Sequence, residues 1–118
     1  MKRILLLTAM IFGLTTVTYA QSDYYIKKAQ SYQRESEYYQ KKAEGYRKEA
    51  TYYLKKAEGY QREAAYYTKR GDIDRAKTQT RYAEDAMDKY KTQLRYAAEA
   101  DEKAAMYLRW AAEALKKH

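Results

Sequence analysis

Tyrosines and basic residues are the side chains of this 118-residue chain that could bind a ligand. The chain has 16 tyrosines and 24 lysines and arginines against 16 acidic residues, a net charge of +8. Regularly spaced cations beside aromatic rings favour binding of an extended polyanion. The alternative is a solvated face that keeps the chain soluble. In the first half a basic residue recurs every seven positions, at Lys27, Arg34, Lys41, Lys48, Lys55, Arg62 and Lys69.

Catalytic chemistry has little support in the sequence. The chain contains no cysteine, and its single histidine is the last residue, His118. It has no Ser-His-Asp set, glycine-rich phosphate loop or metal-ligand spacing. We therefore predict a protein that is not an enzyme, with no catalytic residue, metal site, cofactor or small-molecule substrate. Helix caps and salt bridges explain the acidic groups Asp72/Asp74, Glu84/Asp85/Asp88 and Glu99/Asp101/Glu102.

Many of the tyrosines follow a helical spacing. Seven of them alternate with small residues in steps of three and four, which places both sets on one stripe of a helix supercoiled at about 3.5 residues per turn. The pattern predicts a long helix that packs against another helix. We call the tyrosines position d and the small residues position a of a heptad. The d residues are Tyr25, Tyr32, Tyr39, Tyr46, Tyr53, Tyr60 and Tyr67, and the a residues are Ala29, Ser36, Ala43, Ala50, Ala57 and Ala64.

The sequence of this region also repeats every 14 residues, which is the length of two heptads. Position c, the residue before each d tyrosine, is alternately large and small: Tyr24, Ser31, Tyr38, Gly45, Tyr52, Gly59 and Tyr66. Each glycine inside a helix costs about 1 kcal/mol relative to alanine. Two interpretations stay open. The glycines leave a hole for a neighbouring helix or ring, or they are tolerated products of repeat duplication.

The heptad pattern ends at Gly71. This glycine suits the left-handed residue after a helix, and Asp72 suits the cap of a following helix. Residues 71–76, with Tyr67 before and Ala83 after them, resemble the inter-helix turn of a tetratricopeptide repeat. Nothing recurs at that family's period of about 34 residues. The local resemblance therefore implies a tight turn between two helices, and not a peptide-binding array.

A second helix follows the turn and has its own 14-residue unit, at residues 81–86, 95–100 and 109–114. We predict an all-α fold, a long antiparallel helical hairpin (coiled coil) with Tyr/Ala heptads that self-associates into a bundle. The predicted segments are a first helix at 21–70, a turn at 71–72 and a second helix at 73–118. A single continuous rod is the alternative. The expected apolar stripe of the second helix is Ala83, Met87, Tyr90, Leu94, Ala97, Ala104, Leu108, Ala111 and Leu115.

Residues 1–20 have the layout of a secretory signal peptide. Lys2 and Arg3 precede an apolar run and a small, polar segment, which predicts cleavage between Ala20 and Gln21. The apolar run is shorter than the roughly 20 residues that span a bilayer. A retained N-terminal anchor is the alternative. We expect an exported chain that is periplasmic, envelope-associated or secreted.

These patterns together favour a structural or scaffolding role in the cell envelope. The expected partners are further copies of the chain, and an anionic polymer or membrane surface. The first alternative is a polyanion-binding protein that uses the basic helix face to hold an envelope glycan, lipopolysaccharide or nucleic acid. The second is a periplasmic holdase chaperone that grips unfolded clients through exposed tyrosines.

Overall fold

A computed structural model describes residues 23–117, which form two long α-helices joined by a short turn. Helix α1 spans Asp23–Lys69 and helix α2 spans Ile73–Lys116. The two helices form an antiparallel hairpin, which confirms the predicted all-α fold. The predicted signal peptide at residues 1–20 lies outside the described residues. Within residues 23–117, neither helix has a stretch apolar enough to cross a membrane.

The turn is built by a glycine in the left-handed region. Gly71 has a φ of 78°, and its amide donates to the Thr68 carbonyl at 3.1 Å. The next amide, of Asp72, donates to the Tyr67 carbonyl at 2.9 Å. These two hydrogen bonds form a Schellman motif that satisfies carbonyls at the end of α1. Asp72 then caps α2, because its Oδ1 accepts a hydrogen bond from the Arg75 amide at 3.2 Å.

The chain divides into two compact units. The terminal unit contains the chain up to Ala43 and from Ala98 onward; the turn unit contains Glu44–Ala97. The core of the terminal unit has two leucines, Leu108 and Leu115, surrounded by alanines. The buried apolar residues of the turn unit are all alanines: Ala50, Ala57, Ala76, Ala83, Ala86 and Ala97.

The inner face of α1 is set by positions a and e. The a residues from Ala29 to Ala57 are at most 1% exposed, and Ala64 is half-buried. All seven d tyrosines are half-buried, at the edge of this face. Position e, the residue after each d tyrosine, places Gln33 and Gln40 in the core. Tyrosine therefore borders the helix–helix contact, while small and polar side chains fill its centre.

The inner face of α2 differs in part from the expected stripe. Ala86, Ala100 and Ala114 are buried although they lie outside that stripe, whereas Leu94 is 39% exposed. Alanines occur on more than one face of α2, so the heptad pattern alone does not indicate which of them are buried. The position of α1 decides which alanines are covered.

Candidate anion-binding clusters on the first helix

Residues equally far from Gly71 along the chain face each other across the hairpin. Three d tyrosines contact an aromatic ring of α2 in this way, and their ring centroids are 5.4–5.6 Å apart. Rings at this distance attract each other beyond the area that they bury. Two pairs, Tyr60 with Tyr82 and Tyr46 with Tyr96, lie in the turn unit, and Tyr32 with Trp110 lies in the terminal unit.

The d tyrosines between these contact a cation of α2, and Tyr39 also stacks on the Tyr107 ring with centroids 5.8 Å apart. The cations lie 5.3–5.7 Å from the ring centroids, within the range of cation–π attraction. At positions equally far from Gly71, successive d tyrosines of α1 therefore face an aromatic residue and a cation of α2 in turn. These pairs are Tyr67 with Arg75 and Tyr53 with Lys89 in the turn unit, and Tyr39 with Lys103 in the terminal unit.

The centre of the terminal unit holds a polar network. Ser36 is fully buried, and its hydroxyl donates to the Ala104 carbonyl at 2.8 Å. The Gln40 side-chain amide donates to the Ser36 hydroxyl at 3.1 Å. The neighbouring Gln33 is also buried, and its Oε1 has no hydrogen-bond partner. A small hydroxyl at position a thus links the two helices in this unit.

The outer face of α1 carries the basic residues. All seven cations at position f, two residues after each d tyrosine, are exposed. The large c residues lie beside them: Tyr24 is 64% exposed, and Tyr38, Tyr52 and Tyr66 are 50–52% exposed. The structure therefore separates two sets of tyrosines. The d tyrosines from Tyr32 to Tyr67 contact α2, and the c set faces outward among cations.

Each outward tyrosine is held by two neighbours. Its ring packs edge-on against the following d tyrosine, at centroid distances of 5.0–5.3 Å and interplanar angles of 68–77°. A cation four residues later lies 5.2–5.7 Å from the ring centroid. The cations are Lys28, Lys42, Lys56 and Arg70, and the last also donates to the Tyr66 hydroxyl at 2.7 Å.

The tyrosine contact affects protonation at one of these sites. A hydrogen bond with Tyr52, together with the nearby charges of the Tyr52 and Tyr60 phenols, raises the pKa of Lys56 above its ordinary 10.5. Lys56 is protonated at physiological pH with or without this contact, because its ordinary pKa of 10.5 already lies well above that range.

We define three tyrosine–cation clusters from these residues. Each consists of one outward tyrosine and the three cations located three or four positions away, where side chains are neighbours on a helix. The terminal unit contains Tyr38 with Arg34, Lys41 and Lys42. The turn unit contains Tyr52 with Lys48, Lys55 and Lys56, and Tyr66 with Arg62, Lys69 and Arg70.

The c-position glycines are not filled by the hairpin itself. A methyl group built on Gly45 would meet nothing within 4 Å, and one on Gly59 would meet only the flexible Arg62 side chain at 4.0 Å. Close approach of α2 is therefore not the reason for either glycine.

Sequence reasoning identified the f-position cations but missed the cations at position g, three residues after each d tyrosine, as tyrosine partners. The i,i+4 spacing from each outward tyrosine was the available signal. Among residues 23–117, no group of three or more histidine, cysteine or acidic side chains could hold a metal ion. No protein-family model matches the chain, and no curated protein or solved structure is significantly similar to it.

Proposed function

We propose that the chain is a non-enzymatic structural protein of the cell envelope, which acts by associating with further copies of itself. The distribution of its apolar side chains supports this most directly. Among residues 23–117, 12 of the 14 buried hydrophobic residues are alanine and two are leucine. In contrast, nine large hydrophobic side chains in the same range are 39–64% exposed.

Alanine burial gives the hairpin little hydrophobic stabilisation. A buried methyl contributes about 0.8 kcal/mol, whereas a fully buried leucine or phenylalanine contributes about 1.5–3 kcal/mol. Seven of the nine exposed side chains are aromatic. Association that covers them would add the stabilisation that the alanine core lacks.

The surface proposed for this association is formed by three exposed α2 rings, each of which contacts a d tyrosine. We call these rings the aromatic edge; they are Tyr82, Tyr96 and Trp110, which are 39–46% exposed. Each ring already contacts a tyrosine of α1 on one side, so its position is fixed before a partner arrives. Pairing of two hairpins along this edge into a supercoiled four-helix bundle is the proposed assembly.

Replacing the aromatic edge with glutamine tests this function. The variant Tyr82→Gln/Tyr96→Gln/Trp110→Gln should associate about tenfold more weakly, because buried aromatic residues carry much of the binding energy at interfaces. Glutamine is a good helix former, so helicity by circular dichroism should be retained. Sedimentation velocity measures the association.

The matched control removes three outward tyrosines of α1 instead, as Tyr38→Gln/Tyr52→Gln/Tyr66→Gln. It deletes as many aromatic rings outside the edge and should associate like the unchanged chain. Equal sedimentation of the edge variant and the unchanged chain would exclude the edge as the interface.

We also propose that the structural role is carried out after export. The signal-peptide pattern of residues 1–20 supports this location, with cleavage after Ala20. Expression of the full chain in a bacterium, fractionation and intact-mass measurement should find a product that begins at Gln21 outside the cytoplasm. An uncleaved chain in the cytoplasm would refute it.

A further inference from the structure

We propose that the three tyrosine–cation clusters of α1 bind an anionic polysaccharide. The cations would pair with its carboxylate or phosphate groups, and the outward tyrosines would contact its sugar rings. This binding activity goes beyond the structural function proposed above and does not depend on it.

The charge of the outer face of α1 is the first support. Positions f and g carry 11 of the 12 basic residues of residues 22–70, and only three acidic ones. All of these side chains that lie within the helix are exposed. Each cluster has three cations and one glutamate at position g, a net charge of +2. The glutamates are Glu35, Glu49 and Glu63.

Acidic residues at position b, the residue before position c, limit this charge but do not cancel it. Glu37, Glu44 and Glu58 each precede an f-position cation by four residues, a spacing that favours pairing. They lie on the side of α1 that faces away from position g. The g cations Lys56 and Arg70 contact accessible tyrosine rings, which places them where an anion bound beside the ring can reach them.

The second support is that the rings are already ordered. Each outward tyrosine is fixed between a second tyrosine and a cation, and about half of its surface stays accessible. A side chain that is ordered before binding loses less conformational entropy when the ligand arrives. The phenol hydroxyl can donate and accept hydrogen bonds, as recognition of sugar hydroxyls requires.

The spacing of the rings favours a polysaccharide over single-stranded nucleic acid. In the turn unit, Tyr52 and Tyr66 are 14 residues apart, which is about 21 Å along a helix. Single-stranded nucleic acid is held by stacking successive bases on neighbouring aromatic rings. A ring every four turns cannot form such a platform. Cations at close intervals with occasional ring contacts suit a charged sugar polymer.

Titration of the full chain with fluorescein-labelled alginate oligomers, followed by fluorescence anisotropy, tests the proposal. Binding should weaken steeply between low and physiological salt. The variant Lys41→Gln/Lys48→Gln/Lys55→Gln should bind about tenfold more weakly, with a salt slope lower by about 2 because three ion contacts are lost. The control Lys77→Gln/Lys91→Gln/Lys116→Gln removes the same charge from exposed positions of α2 and should bind normally.

A ring variant separates sugar recognition from charge alone. Tyr38→Gln/Tyr52→Gln/Tyr66→Gln should lose several-fold affinity for alginate while its salt slope stays unchanged. Unchanged affinity of this variant, or tighter binding of single-stranded oligo(dT) than of alginate, would overturn the polysaccharide assignment. Absence of alginate binding at low salt would also overturn it. None of these results bears on association through the aromatic edge, which sedimentation measures separately.

Discussion

Three polar side chains occupy the part of the α1 inner face where a larger apolar residue is usual. The Ser36 hydroxyl accepts a hydrogen bond from the Gln40 amide and donates one to the Ala104 carbonyl, so the burial of these two side chains costs little. Gln33 differs, because its Oε1 is buried without a hydrogen-bond partner. An unsatisfied buried oxygen costs about 1–3 kcal/mol. Gln33 therefore weakens the packing of the terminal unit.

Replacing this glutamine with leucine should stabilise the chain. Gln33→Leu removes the unsatisfied oxygen and buries an apolar side chain of similar size, so the free energy of unfolding should rise by about 1 kcal/mol. Urea unfolding followed by circular dichroism measures the change. Gln61→Leu at an exposed e position is the control and should change stability by less than about 0.5 kcal/mol. A destabilised Gln33→Leu chain would contradict the burial described for this residue.

The turn that joins the helices depends on one backbone conformation. Gly71 has a positive φ, which an L-residue with a Cβ adopts at a cost of about 1–2 kcal/mol. The same residue is the midpoint about which the aromatic and cation–π pairs are matched. A shift in the turn would change every one of these pairs within the turn unit.

Substitution of the turn glycine should therefore destabilise the hairpin. Gly71→Ala should lower the free energy of unfolding by about 1–2 kcal/mol, since the left-handed conformation is retained under strain. Thermal unfolding by circular dichroism is the measurement. Gly45→Ala is the matched control: that glycine is helical and has open space at its Cβ position, so stability should rise by about 0.5–1 kcal/mol. Equal effects of the two substitutions would refute the role assigned to Gly71.

Most of the secondary structure could be predicted from the sequence, because the relevant signals are local. Alanine content and absence of proline favour long helices, and the Gly71–Asp72 pair indicates where the first helix ends. The heptad pattern also identified position a as a helix-packing stripe. These signals need no knowledge of how far apart the helices lie.

The sequence was less informative about side chains whose surroundings depend on the neighbouring helix. Burial of Gln33 and exposure of Leu94 follow from the rotation of each helix, which alanine-rich faces do not determine. The contact of Lys89 with the Tyr53 ring also depends on the position of the opposite helix. Counting outward from Gly71 would have paired these two residues. That count requires the turn to be known first.

At the scale of the whole molecule, the main feature is the contrast between small buried and large exposed side chains. An alanine-centred pair of helices leaves tyrosine and tryptophan rings partly in contact with water. Tyrosine tolerates this exposure better than leucine because of its hydroxyl. Such a chain can fold as a hairpin and still gain stability from association. Its outer cations keep a separate face of α1 available for an anionic ligand.

Sedimentation equilibrium of the full chain over a wide concentration range tests self-association most directly. We expect an average mass that rises with concentration to at least twice that of the 14.0 kDa chain, and that falls in the aromatic-edge variant. A single species of monomer mass at every concentration, with full helicity, would contradict the proposed structural function.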